Sequence, residues 1–377
     1  MIRSTFQALL NELEAPALSR QFGTGWISGV LAILLGVISI CTVLILHYPD
    51  VLTVPEIRSQ VDVPFIRSLL MLVIVSGFLL SCISMILRQN KVFGLSAAGL
   101  ILLSIVLGGV ATQKTAGFSG DIYFGLDWFI LNLLITGILF LPLERMFRRV
   151  EQSVFRFEWR EDLFYFLISS IFVQSLTFLS MLPAMTLLSF NALVAVKNVV
   201  AAQPVWLQFI EIMFLTDFVQ YWIHRMFHQI PFLWKFHAVH HSAQAMDWLA
   251  GSRMHVMEII VLRGLTIIPM YVLGFSETAI YAYIIMVYLY ATFVHANIKF
   301  DIEWLKPVIV TPRFHHWHHG VEKEAVDVNF SVHFPIFDKL FGTYYMPKGK
   351  WPAAYGIGGH PVPGGYIKQF LYPFSKK

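Results

Sequence analysis

Between His224 and His333 the chain places 12 of its 14 histidines, at repeated spacings rather than in one tract. They run His224-x3-His228, then His237-x2-His240-His241, then His315-x2-His318-His319, with single His255 and His295 between. Residues three or four apart share a helix face, so each group can aim two or three imidazoles at a common point. Eight clustered ligands exceed the four of one tetrahedral zinc, which predicts two metal ions. Asp217, Tyr221, His224 and His228 form one helical stripe, so Asp217 is expected to hydrogen-bond the second nitrogen of an imidazole.

His316 points away from the 315/319 face of a helix and is left outside the site. His255 and His295 each stand at the end of an apolar run, a place for an ordinary interfacial histidine. With eight ligands nearby, both are counted as additional metal ligands. His47, His333 and His360 fit no spacing and are read as structural. A solvated histidine-rich loop is the plain alternative for the second group, but Phe232, Leu233, Trp234 and Phe236 require burial there. Buried neutral imidazoles need partners, and a cation supplies one.

Both cysteines, Cys41 and Cys82, fall inside apolar runs, which excludes a disulfide framework and a thiolate metal site. No His-Glu-x-x-His occurs, against a zinc hydrolase. An all-histidine pair of ions suits iron and oxygen activation on a lipid-soluble C–H compound.

The elements that carry these residues are membrane helices. Hydrophobic residues make up 57% of the 377 and charged ones 13%, too apolar for an ordinary soluble domain. Runs long enough for a bilayer lie at Trp26–Leu46, Phe65–Leu87, Phe93–Ala111, Phe124–Leu143 and Leu163–Leu182. Weaker ones follow at Trp206–Ile223, Val256–Leu273 and Ala279–Val294. The first run lacks a signal-peptide pattern and is expected to persist. A net charge of +4, bunched beside spans, reflects membrane topology and not nucleic acid binding.

Arg3 and Arg20 precede the first run, Arg88 and Lys91 separate the second and third, and Arg145, Arg148, Arg149, Arg156 and Arg160 follow the fourth. The opposite loops hold Arg58, Arg67 and Lys114. The positive-inside rule then places the N-terminus and all three histidine groups on the cytoplasmic side, with Val256–Leu273 and Ala279–Val294 as a hairpin. The expected fold is an all-α, polytopic helical membrane protein with a cytoplasmic-face, histidine-rich di-metal site. Three regions are expected: four spans in 1–144, the histidine module in 145–346 and a turn-rich tail in 347–377. Arg145–Asp162 suits a helix lying in the interface or a solvated linker.

The segments Asp217-Phe through Trp222-x-His224-Arg, Leu233-Trp-x2-His237-x2-His240-His241-Ser, Met246-Asp-Trp, Arg253-x-His255, Phe293-x-His295-Ala-Asn297, Thr311-Pro-Arg-Phe-His315, His318-His319 and Phe341-Gly-Thr resemble the sterol desaturase/fatty acid hydroxylase superfamily. The resemblance covers roughly 145–346. It implies a membrane-bound non-haem di-iron centre that uses O2 and two external electrons to hydroxylate or desaturate a lipid. Its ligands would be His224, His228, His237, His240, His241, His315, His318 and His319, with His255 and His295 in additional positions. Asn329 stands where members often show Asn-Tyr-Gly, but Phe330 and Ser331 follow it, and Phe337 replaces a common Trp before Asp338.

No flavin, haem or iron–sulfur motif is present, so electrons are expected from a b-type cytochrome or a ferredoxin with its reductase. A histidine-rich metal transporter, or a metal-binding protein without oxygenase activity, is the rival class. Transport predicts ionisable residues along a path through the membrane, and the first four spans are nearly free of them. The short tail and the lack of a retrieval motif point to a bacterial inner membrane.

Overall fold

The computed structural model describes residues 2–115, 123–188, 194–299, 304–359 and 361–375. His360 lies outside them. Among the described residues the secondary structure is helical, with isolated antiparallel bridges at Arg148↔Ile298 and Gly320↔Tyr355. The chain divides into two compact units. One is Met1–Leu134 with Gln152–Arg156 and Ser170–Gln174; the other is Ile135–Glu151, Phe157–Ser169 and Ser175–Lys377.

In the first unit, α1 (Trp26–His47), α2 (Val63–Leu87) and α3 (Val92–Val106) pack as a bundle. Their buried positions are mostly small: Gly29, Ala32, Gly36 and Ser39 on α1, Gly77, Ser81 and Ser84 on α2, Gly94, Ala97 and Ser104 on α3. A Cβ at Gly29 would stand 2.6 Å from Ser84 Oγ and 2.7 Å from Phe93 Cβ, so these backbones approach as only small residues allow. Leu31, Val37, Leu72, Leu79 and Ile86 face outward, the arrangement lipid requires.

Among the described residues five helices are long and apolar enough to cross a membrane: α1, α2, Val92–Ala111, α4 (Leu126–Met146) and Glu277–His295. The fifth apolar run is broken, with Trp159–Ile171 and Val173–Leu182 bent by 67°. The two weak runs before the Glu277–His295 helix do form helices, α5 (Val205–Gln229) and α7 (Val256–Val272), but neither qualifies as a span. The first buries Asp217 and His224. The second has 17 residues, about 26 Å at 1.5 Å each against roughly 30 Å of hydrocarbon. One arm of the expected hairpin therefore falls short.

The second unit supports the histidines. Helix α5 leads through Ile230 into α6 (Pro231–His241), with Pro231 at the first helical turn where its missing N–H costs nothing. Behind them, Ile223, Phe227 and Phe236 form a core with Val261 and Leu262 of α7. Helix α8 (Glu277–His295) packs on α5 through Ile212, Ala279, Ile280 and Tyr283. Helix α9 (Pro312–His318) starts at Thr311, whose hydroxyl accepts from Phe314 N.

After α4, residues 147–151 are not an interfacial helix. Lys299 N donates to Phe147 O, Arg149 N to Asn297 O, and the Asn297 side chain bonds both backbone groups of Val150. An extended segment that can pair its backbone in this way has no reason to coil. The C-terminal segment is also tied down: Gly320 bridges to Tyr355, Lys235 Nζ donates to Ser375 O, and Phe236 meets Phe374.

Candidate metal centre

Nine imidazoles converge in two adjoining groups: His224, His228, His237, His241 and His318, and His240, His295, His315 and His319. Within each group one ligand atom per residue lies within 4.8 Å of all the others. Helix periodicity explains the sorting. The i, i+4 pairs 224/228, 237/241 and 315/319 each serve one group. The middle histidine of each H-x2-H-H motif crosses to the other group: His240 joins 315/319 and His318 joins 237/241. The rings of His241 and His319 stack across the boundary at 4.4 Å.

Contacts between Nε2 atoms run from 2.9 to 3.2 Å: 224/237, 237/241, 241/318, 240/295, 295/315 and 315/319. Nitrogens about 2.1 Å from one ion stand about 3.0 Å apart at an octahedral corner and about 3.4 Å apart in a tetrahedron. The spacing is that of a coordination shell.

The remaining ring nitrogens fix the tautomers. Nδ1 donates to Phe330 O from His224 (2.8 Å), to Val328 O from His318 (2.8 Å), to Arg253 O from His240 (3.0 Å) and to Ala291 O from His295 (2.6 Å). A carbonyl only accepts, so these Nε2 atoms carry lone pairs and no proton. The Nε2 atoms of His240 and His295 therefore face each other lone pair to lone pair at 3.2 Å. A proton between them would charge a ring, and burial holds His240, like His237, His241, His318 and His319, well below the usual pKa of 6.5. The Nε2 atom of His228 is buried with no hydrogen-bond partner. The donor set fits metal cations.

Carboxylates stand behind two rings. His237 Nδ1 donates to Glu258 Oε1 at 2.5 Å, and His228 Nδ1 to Asp327 Oδ1 at 3.2 Å. Burial pushes the Glu258 carboxyl up to about 8; a cation on His237 opposes that shift. Neither acid stands out in the sequence, although His255-x-x-Glu258 has the spacing of a capping box.

The turn 327–330 supplies a carboxylate and two carbonyls to three ligands. Asp327 (φ 56°) and Asn329 (φ 59°) bracket Val328, in the left-handed region that Asp and Asn tolerate best after Gly. Asn329 Nδ2 donates to Phe314 O and Tyr345 O, and its Oδ1 accepts from Tyr345 N, so its role is to pin this turn. Asp338 accepts from Phe330 N and Ser331 N. Asp217 does not touch an imidazole as expected; its two oxygens accept from Val332 N and Phe334 N. Both carboxylate oxygens are taken up by this backbone instead of an imidazole nitrogen. Phe337 packs among Phe214, Phe218 and Tyr221.

His295 joins a metal group, but His255 does not. His255 Nδ1 caps α7 by accepting from Met257 N, and Nε2 donates to Phe370 O at 3.0 Å. Both nitrogens are in use. His316, left outside on spacing, bonds Tyr355 OH and His295 O and so braces α9. His333 bonds Tyr283 OH, and His47 bonds Leu107 O.

Residues 209–343 match the fatty acid hydroxylase family. Over 164 residues the chain is 30% identical to an ornithine lipid hydroxylase of Rhizobium tropici, covering 43% of this chain and 49% of that one. It is 29% identical over 148 residues to the alkylglycerol monooxygenase of Homo sapiens, 39% of this chain and 32% of that one. A putative methylsterol monooxygenase of Dictyostelium discoideum is 27% identical over 203 residues, 51% of this chain and 71% of that one. The chain thus spans half the length or less of the first two relatives. No solved structure matches it.

Proposed function

We propose, from the match of residues 209–343 to the fatty acid hydroxylase family, that this chain hydroxylates a membrane lipid with O2 at two histidine-held iron ions. The observation that carries the reading is the pair of facing lone pairs on His240 and His295, which calls for a cation. Hydroxylation is preferred to desaturation because the similar proteins are named as hydroxylases and monooxygenases. One ion would be held by His224, His228, His237, His241 and His318, the other by His240, His295, His315 and His319.

Iron bound there supplies the redox chemistry, in which R–H, O2, two electrons and two protons give R–OH and water. The chain's own residues do the positioning. The bonds from Nδ1 to Phe330, Val328, Arg253 and Ala291 stop the rings rotating and present each Nε2 unprotonated. Phe330 lies against His224, His228 and His318, and Trp234 against His228 and His241, an apolar wall that keeps water from the centre.

His295 ends a helix long and apolar enough to cross a membrane, which supports a centre at a membrane edge. The Lys and Arg distribution supports the cytoplasmic side for that edge, where a b-type cytochrome or a ferredoxin with its reductase would deliver the electrons. Untargeted lipid mass spectrometry of cells with and without the chain is expected to reveal an added-oxygen lipid that disappears in His240→Ala. Wild-type product levels in that variant contradict the assignment.

A further inference from the structure

The two metal positions are not alike. In the five-histidine group, carboxylates back two rings: Glu258 on His237 and Asp327 on His228. In the four-histidine group, peptide carbonyls back His240 and His295, and His319 Nδ1 is buried without a partner. Asp162, whose charge reaches His295, is already paired with the buried Arg253. A carboxylate makes its imidazole a stronger donor and offsets the charge of a dication; a carbonyl does less of both. The four-histidine position also has one nitrogen fewer.

That position depends on a glycine as well. A Cβ on Gly251 would stand 2.9 Å from His295 Nδ1 and 3.1 Å from its Cγ. The ring cannot retreat, because Nδ1 is tied to Ala291 O while Nε2 lies 3.2 Å from His240 and 2.9 Å from His315. Gly251 has no positive φ, so its backbone conformation does not require glycine; the missing side chain does.

We propose that the two positions hold their ions with unequal affinity, the four-histidine one being the labile position, and that Gly251 is a positioning residue that keeps His295 in it. The inference rests on the metal-centre reading above.

The test uses the full chain in detergent, loaded with Zn(II) and dialysed against increasing EDTA, with metal per chain counted at each step. Wild type is expected to release its two ions in separate steps, about 10–100-fold apart in chelator. Gly251→Ala is expected to keep one ion and lose the early step. Glu258→Gln moves the late step toward the early one. Should Gly251→Ala fail to fold, the wild-type release and Glu258→Gln still decide. Release of both ions in one step, or a wild-type profile in folded Gly251→Ala, overturns the inequality while leaving a two-metal centre intact. A chain that binds no metal removes the centre and the inference together.

Discussion

In the bundle of α1, α2 and α3, the buried positions are largely glycine, alanine and serine, and the large apolar side chains face outward. Around α5 to α9 the buried positions include Asp217, Arg253, Glu258, Asn329, Asp338 and eight of the nine clustered histidines. The first region gains stability from close backbone approach, which needs no chemistry from its side chains. The second carries polar burial that is tolerable only when every group has a partner. The Phe330, Val328, Arg253 and Ala291 carbonyls and the Glu258 and Asp327 carboxylates take up one ring nitrogen of six of the histidines, and the Nε2 atoms converge in two places. Polar burial at that density marks the working part of the molecule.

Acidification gives the largest contrast. Buried His237, His240, His241, His318 and His319 are held well below 6.5, and His316 near 3, so the folded form stays neutral where the unfolded form takes up protons. The unfolded state therefore binds more protons once pH falls below about 6.5. Stability and metal retention present above that value are lost progressively beneath it. Metal content after dialysis at pH 7.5 and pH 4.5 is expected to fall from about two ions to none, with the helicity of α1–α3 preserved; retention at the lower pH would break the comparison.

Asp338→Ala comes next. It strands the amides of Phe330 and Ser331, a cost on the order of 3 kcal/mol, and loosens the carbonyl that orients His224. Thermal unfolding and metal content should both drop. Gly29→Ala in the bundle should cost about 1–3 kcal/mol by overpacking against Ser84 and Phe93, with metal content unchanged. Metal loss in Gly29→Ala would mean that the two regions do not divide the work as described.

Much of this was legible from residue type and period. Five apolar runs appear as membrane-length helices within a few residues of their expected ends, because length and apolarity alone set that requirement. The H-x2-H-H spacing foretold converging imidazoles, since 3.6-residue periodicity fixes which rings share a face. It did not foretell which ring goes to which ion, because that depends on how α6 and α9 face each other. His255 and His295 look alike in sequence, each a lone histidine at the end of an apolar run. One ends α8 beside α9; the other starts α7 and is used up by a cap and by Phe370 O. The turn 327–330 was not legible, since its contribution is mostly backbone carbonyls, which every sequence possesses.

An experimental map of the purified protein recorded at the iron absorption edge tests the central claim most directly. The account predicts two anomalous peaks, one ringed by His224, His228, His237, His241 and His318, the other by His240, His295, His315 and His319, with His255 bound to neither. A single peak, or an ion ligated by His255, would contradict it.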